Sequence, residues 1–203
     1  MRTNAVAAVA AAALAGCAGA RVRYEAPDLA SRLPASVAVL PFDNEAVSLR
    51  APGLLRSLVT EALGFRGWRT FERSVVDDAL QALGVSDGGQ LRALDPKKIG
   101  AALGAPGLLY GTVEEFTYQN VGFVRRRVVR VSLKLVDSAS GERLWEAQGM
   151  EETGVLALRK GAAGKSFLDG VLEQASESAL GAPLLFESRA AVDDALSHLM
   201  RRF

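Results

Sequence analysis

The stretch "VRVSLKLVDSASGERLWEAQGM", Val129 to Met150, decides the fold. From Val129 to Leu135 it alternates valine or leucine with arginine, serine or lysine, so one face of a strand is apolar and the other is polar. Asp137 to Glu142 has the composition of a turn, in which Gly141 suits a positive φ. The residues after the turn return as a partner strand. The pair is therefore antiparallel, with one face buried and one face in water.

Further elements upstream complete the pattern. "GLLYGTVEEF", Gly107 to Phe116, predicts a third strand of the same meander. "SVAVLPF", Ser36 to Phe42, is a short apolar run closed by proline, which is typical of a buried strand. Helical spacing begins at Pro52, a short strand is predicted over Trp68 to Glu72 with a second helix after it, and Asp95 followed by proline predicts a third helix.

Two amphipathic helices are predicted at the C-terminus, with apolar residues at helical spacing from Phe167 to Ala179 and from Val192 to Phe203. The order of elements is therefore βαβααβββαα. Parallel crossovers come first and an antiparallel edge follows. We predict the α/β class in its α+β form, with one mixed parallel and antiparallel sheet backed by helices.

Cys17, the single cysteine, lies behind an apolar N-terminal segment. Arg2 precedes an unbroken apolar run from Ala5 to Ala15, which is the order of a secretory signal and is shorter than the roughly 20 residues of a membrane-spanning helix. Leu14 to Cys17 resembles the bacterial lipobox, which implies that Cys17 is alkylated with diacylglycerol and becomes the first mature residue. A plain cleaved signal and an alanine-rich first helix of the fold are the alternatives.

Three segments follow from the lipobox interpretation. Residues 1–16 are the lipoprotein signal peptide, residues 17–34 are the lipidated N-terminus and a flexible tether, and residues 35–203 are a single α/β domain with two C-terminal helices.

The chain carries 24 Lys and Arg against 23 Asp and Glu. This balance gives no wholesale attraction to nucleic acid, so no nucleic-acid partner is predicted.

Three patterns could suggest catalysis, and none of them assembles a site. Gly161 to Ser166 ends like a phosphate-binding loop, but Arg159 stands where that motif needs glycine. His198 is the single histidine, which is too few for a metal cluster or a nucleophilic triad. The adjacent carboxylates Glu114 and Glu115 are expected on opposite faces of a strand. We predict a protein that is not an enzyme, with no cofactor and no metal, and we identify no small-molecule substrate.

The strongest charge feature is "RRRVVR", Arg125 to Arg130. Arg126, Arg130 and Lys134 share one face of the strand. An exposed face whose charges prevent edge-to-edge aggregation is the simpler interpretation. The other interpretation is a surface that binds an acidic partner or an anionic envelope polymer, and these three residues are our candidate partner-binding surface.

Four segments behind the lipobox together resemble one family. They are "VAVLPFDN" (Val37–Asn44), "GWRTFERSVVDDAL" (Gly67–Leu80), "IGAALGAPGLLYGTVEEF" (Ile99–Phe116) and "VSLKLVDSASGERLWEA" (Val131–Ala147). In this order they resemble the bacterial lipoproteins typified by a neisserial surface antigen of unassigned function and, more distantly, the curli-secretion channel lipoproteins. The resemblance implies a fold similar to the N-terminal domain of the Tol-system periplasmic protein.

The anchor and the resemblance together imply a function. We expect a palmitate-carrying lipoprotein of the outer membrane that faces the periplasm and acts as an interaction or assembly module of the envelope. Its partners would be the membrane, through the lipid on Cys17, and other envelope proteins or copies of itself. The alternatives are a subunit of an oligomeric curli-type secretion assembly and a regulator of a cell-wall synthase. The chain has no obvious long amphipathic hairpin pair to line a curli-type pore.

Overall fold

The structure is a computed structural model, and it describes residues 21–121, 124–156 and 184–202. Within these ranges it contains six strands, five α-helices and one 3-10 helix. In chain order they are β1 (Arg21–Glu25), α1 (Leu29–Arg32), β2 (Val37–Val39), β3 (Asp43–Asn44), α2 (Ala51–Phe65), α3 (Arg73–Ala82), the 3-10 helix (Gly88–Ala93), α4 (Pro96–Leu103), β4 (Gly107–Val121), β5 (Val124–Asp137), β6 (Arg143–Leu156) and α5 (Leu185–Leu196). No helix in these ranges is long and apolar enough to cross a bilayer.

All six strands form one mixed sheet in the order β1-β6-β5-β4-β2, and β3 also pairs with β4. β2 and β3 run parallel to β4, whereas β4, β5, β6 and β1 are joined in antiparallel pairs. Two local predictions hold: Gly141 has a φ of 77° in the turn before β6, and the Asp95 carboxylate caps α4 by accepting the Lys97 N–H at 2.9 Å. The predicted fold class is confirmed.

Helices cover the two faces of the sheet unequally. On the face that we call the inner face, α1, α2 and α5 pack over the apolar side of β4, β5 and β6, where Trp145 is completely buried. On the opposite, outer face, α3, the 3-10 helix and α4 pack over β2, β3 and the start of β4. The outer face of β5 and β6 is therefore left without a helical layer among the described residues.

The segment predicted as a lipidated N-terminus and flexible tether, residues 17–34, differs from that prediction over its described part, residues 21–34. Its described part belongs to the folded domain, because β1 pairs with β6 and the residues after it are anchored by Ala26 and Leu29, which are buried. Tyr24 packs against the inner core and lies under the Arg143 guanidinium, 4.2 Å from ring centroid to guanidinium carbon. The segment has few large apolar residues, but those few alternate or follow helical spacing and are sufficient to dock it.

The strand predicted over Trp68 to Glu72 is reduced to one bridge. Thr70 pairs in parallel with Val37, and the Phe71 N–H donates to the Val37 carbonyl at 3.2 Å. The pairing stops there because α3 begins at Arg73, directly after this segment. Two elements that the sequence did not predict, β3 and the 3-10 helix, lie between the predicted ones. The last helix, predicted from Val192 to Phe203, is α5, which begins earlier, at Leu185, and ends at Leu196. Residues 157–183, which include the first of the two predicted C-terminal helices, lie outside the described residues.

Candidate functional site

The candidate site is the outer face of β5, β6 and the far half of β4, which carries no helical layer among the described residues. Arg126, Arg130 and Lys134 lie on this face, as the alternation predicts. The structure brings Arg126 and Arg130 together but leaves Lys134 apart from them. A second feature of this face, a groove, lies around Lys134.

Arg126 and Arg130 are both paired with carboxylates. Glu115 lies 3.1 Å from Arg126 Nη1 and 3.4 Å from Arg130 Nη2. Arg126 Nε also lies 2.8 Å from Glu152, and this hydrogen bond raises the pKa of the Arg126 guanidinium. Arg130 additionally donates to the sulfur of Met150 at 3.1 Å. The two arginines therefore form a charge-balanced ladder with Glu115 and Glu152, and not an isolated positive patch.

A bulge in β4 places both adjacent carboxylates on this face. The register of β4 with β5 shifts between Val113 and Glu115, so Glu114 and Glu115 do not alternate. Glu114 accepts from Ser132 Oγ at 2.5 Å and from the Gln148 side-chain amide. The expectation that the two carboxylates lie on opposite faces is therefore wrong, since it assumed an unbroken pleat.

The groove runs between the outer face of the sheet and the segment of the 3-10 helix, with a volume of about 630 Å³. Its floor includes Lys134, whose ammonium lies 4.8 Å from the centroid of the Tyr110 ring. Burial raises the pKa of the Tyr110 hydroxyl to about 12. Arg23 reaches the same floor from β1 and lies 3.1 Å from Glu114. The groove is thus lined by both charge signs, and it is open to solvent along the sheet.

Other predicted positions fall in three places. Cys17 and the loop from Gly161 to Ser166 lie outside the described residues. His198 is exposed after the end of α5. The residues that sequence reasoning missed are Glu115 and Glu152, which neutralise the arginines. Glu115 is a direct cross-strand neighbour of Arg130. The signal for this pair is the register of the meander, and that register depends on the bulge in β4.

Fold and site together define a class of protein, a helix-backed mixed-sheet domain with a charged outer face that no described helix covers. Residues 24–180 match the family model described as "Putative lipoprotein GNA1162-like". The chain therefore belongs to this lipoprotein family, and the resemblance drawn from its four sequence segments is confirmed.

The chain is similar to individual relatives over different lengths. The protein named "Putative lipoprotein NMB1124/NMB1162" of Neisseria meningitidis serogroup B is 29% identical over 114 residues, which are 55% of this chain and 52% of that protein. The chain thus matches about half the length of this curated relative. The crystal structure of lipoprotein GNA1162 from Neisseria meningitidis has a TM-score of 0.56 at 24% identity, over 71% of this chain and 99% of the other.

A second solved structure shares the fold over a longer span. The PelC dodecamer from Paraburkholderia phytofirmans has a TM-score of 0.53 at 19% identity, and the match covers 91% of this chain and 99% of the other. At this identity the likeness concerns the fold. It indicates that the mixed sheet with its helices is a recurring architecture.

Proposed function

We propose that this lipoprotein is a non-enzymatic interaction module of the bacterial outer membrane, facing the periplasm. Lipid on Cys17 would hold the domain at the membrane, and confinement there raises its effective concentration toward neighbouring envelope proteins. The partner would bind the outer face of the sheet. Palmitate on Cys17 and the removal of residues 1–16 are parts of the same proposal.

The observation that carries the proposal is the charged outer face of the sheet, which lacks a helical layer within the ranges that the structure describes. Arg126 and Arg130 are held in fixed positions by Glu115 and Glu152, at side-chain exposures of 36% and 33% for the two arginines. An ordered, half-exposed charge ladder contributes mainly to the specificity of binding and to the association rate with a partner. It contributes less to affinity. The groove beside Lys134 adds a concave surface to the ladder.

The experiment is photocrosslinking in intact cells. A photoreactive amino acid that replaces Lys134 is expected to capture a discrete envelope partner. The matched control carries the photoreactive amino acid in place of Gln81, which is exposed on α3. Reversing the ladder with Arg126→Glu and Arg130→Glu is expected to weaken capture from Lys134. If Lys134 captures no more than Gln81 while the chain is folded and in the membrane fraction, the outer face is not the partner surface.

A second candidate function is a subunit of an oligomeric envelope assembly of the curli-secretion type. The likeness to PelC, which was solved as a dodecamer, extends over 91% of this chain and favours testing this candidate. Native mass measurement of the acylated chain in detergent is the test. A closed ring of many copies would support it, and a monomer would exclude it. Regulation of a cell-wall synthase stays a prediction from the sequence.

A further inference from the structure

The far half of β4 is an open sheet edge in the part of the chain that the structure describes. β2 pairs with residues Gly107 to Leu109 and β3 with Thr112 and Val113, and Glu45 N–H then donates to the Val113 carbonyl at 2.9 Å before the chain turns away. From Glu115 to Val121, about 20 Å of strand, the described residues pair with β4 only on its β5 side. No described residue pairs with the backbone groups on the other side of this segment, and these groups could bind a further strand.

The sequence of this edge lacks the usual protection. Native edge strands are blunted by proline, by lysine or by coverage, since an unprotected edge recruits other strands. The segment from Glu115 to Val121 contains neither proline nor lysine, and aromatic and β-branched residues, which favour strands, occupy its centre. Its one charge, Glu115, is already paired with Arg126 and Arg130. Tyr118 is 44% exposed on this edge strand.

An exposed apolar loop lies beside the start of the same edge. Val47 and Leu49, between β3 and α2, are 97% and 91% exposed. The loop is nonetheless held in place, because the Asn44 side chain donates to the Ser48 carbonyl at 3.1 Å and accepts the Ala46 N–H at 3.2 Å. Two exposed aliphatic side chains therefore belong to a hydrogen-bonded loop that follows β3, the strand that pairs with β4 just before this edge.

We propose that this edge pairs with the same edge of a second copy of the chain, antiparallel and around a two-fold axis at Thr117. The inference rests on the proposed function as an interaction module and names one partner of that module. Two-fold dimers with self-complementary interfaces are the commonest oligomers. Addition of a strand to an exposed edge is an established mode of recognition.

Charge selects this orientation. A parallel arrangement in register would set Glu115 beside Glu115 of the second copy, and like charges directly opposite each other are destabilising. The antiparallel arrangement sets Glu115 opposite Gln119 of the second copy. Arg126, the cross-strand neighbour of Gln119 in β5, then lies directly behind that position on the same face. Each copy thus offers an arginine toward the carboxylate of the other.

The apolar residues agree with the same register. A two-fold axis at Thr117 sets Phe116 of each copy opposite Tyr118 of the other, which makes two aromatic pairs. Aromatic cross-strand pairs stabilise sheets. Because β3 ends at Asn44, the new ladder has room from Glu115 to Gln119 in each copy. Beyond this ladder the end of each β4 runs toward the other copy's β3, which Val47 and Leu49 follow in sequence, so these two side chains are expected to lose exposure in the dimer.

Disulfide trapping tests the register in the full chain carrying Cys17→Ser, in which an introduced cysteine is the single thiol. Thr117→Cys is expected to form a covalent dimer on mild oxidation, because opposite residues at the axis lie within disulfide reach. Gln119→Cys on the same strand is the matched control. In the proposed register Gln119 of one copy lies opposite Glu115 of the other, so the two introduced cysteines are four residues apart along the strands and cannot form a disulfide. No dimer from Thr117→Cys, or equal dimer from both variants, overturns the proposal.

A mixing experiment separates contacts between copies from those within one copy. Glu115→Arg and Arg126→Glu each place like charges across the proposed interface, and each is expected to raise the dimer dissociation constant at least about tenfold. An equimolar mixture of the two variants restores both opposite-charge contacts between copies, although each chain keeps its own internal repulsion. Sedimentation equilibrium of the mixture is expected to recover the dimer, and failure to recover it contradicts the proposal.

The loop provides a third, independent variant. Val47→Ser with Leu49→Ser is expected to weaken the dimer, whereas Val75→Ser, which alters an exposed valine on α3, is expected to leave it unchanged. A wild-type chain that stays monomeric at all concentrations refutes the dimer. The proposed function would still stand in that case if photocrosslinking from Lys134 captures an envelope partner.

Discussion

The ion pair between Arg127 and Glu187 lies inside the molecule and joins β5 to α5. Arg127 Nε lies 2.6 Å from one carboxylate oxygen of Glu187, and Nη2 donates to the other at 3.1 Å. Both side chains are about 95% buried. A buried pair of this kind is destabilising to break, because the remaining charge has lost its water without keeping its partner.

Glu187→Ala is therefore expected to lower the free energy of unfolding by about 3–5 kcal/mol, measured by urea denaturation. The matched control is Glu61→Ala, which removes an exposed partner 3.5 Å from Arg189 and is expected to cost less than about 1 kcal/mol. Replacing both members of the buried pair, as Arg127→Met with Glu187→Leu, is expected to recover most of the loss. Equal effects of the two alanine variants would contradict a dominant role of burial.

Tyr110 gives the fold a dependence on alkaline pH. Its hydroxyl has a pKa of about 12 in the fold against an ordinary value of 10.0, because burial disfavours the charged form. Between these two values the unfolded chain loses this proton and the folded chain keeps it, so stability falls as the pH rises from 10 to 12. The loss of stability between pH 10 and 12 is expected to be smaller in Tyr110→Phe than in the wild type. The measurement is urea denaturation of both proteins across this pH range. Parallel pH curves for the two proteins would count against this assignment.

At the scale of elements, α5 approaches β6 most closely at a glycine. A β-carbon on Gly149 would overlap the Ala191 carbonyl oxygen and the Ala195 backbone nitrogen of α5. Gly149→Ala is therefore expected to cost about 1–3 kcal/mol or more, since α5 must move away from the sheet. Gly64→Ala in α2 is the control: its β-carbon meets nothing within 4 Å, and it is expected to stabilise the helix by about 0.5–1 kcal/mol. Similar melting temperatures for the two variants would refute this account of the packing.

The elements that the sequence could predict are those with a periodic pattern. The meander follows from alternation around Gly141, and α4 follows from Asp95 and the proline after it. β1 was missed because its pattern covers only five residues and polar side chains dominate it. Its pairing with β6 comes from contacts distant in sequence, which local propensity does not contain.

The candidate site was predicted in part. Alternation correctly placed Arg126, Arg130 and Lys134 on one face, because side-chain direction in a strand follows from period alone. The neutralising role of Glu115 depends on the bulge, and a bulge is one extra residue in a ladder whose register only the folded sheet defines. The proximity of Gly149 to α5 was equally invisible, since it depends on how two elements pack.

At the scale of the whole molecule, the docking of β1 changes how the anchor would act. Cys17 stands four residues before Arg21, so a lipidated Cys17 lies at most about 14 Å from the start of the sheet. A tether that extended to Pro34 would have allowed the domain to float several times farther from the bilayer. The proposed anchor therefore holds the sheet close to the headgroups, and β1 is the part it holds nearest.

This geometry predicts a short distance from β1 to the membrane. In the acylated chain a donor fluorophore on Val22→Cys, a position 40% exposed on β1, is expected to transfer energy efficiently to an acceptor on lipid headgroups in vesicles. Inserting 20 Gly and Ser residues after Ala20 is the control: a flexible linker of that length spans about 25 Å, so transfer should fall while the unfolding midpoint is unchanged. Cys17→Ser should abolish transfer and move the folded chain out of the membrane fraction. If that variant remains membrane-bound, the anchor is not on Cys17; if the insertion leaves transfer unaltered, the docked β1 does not set the height of the domain.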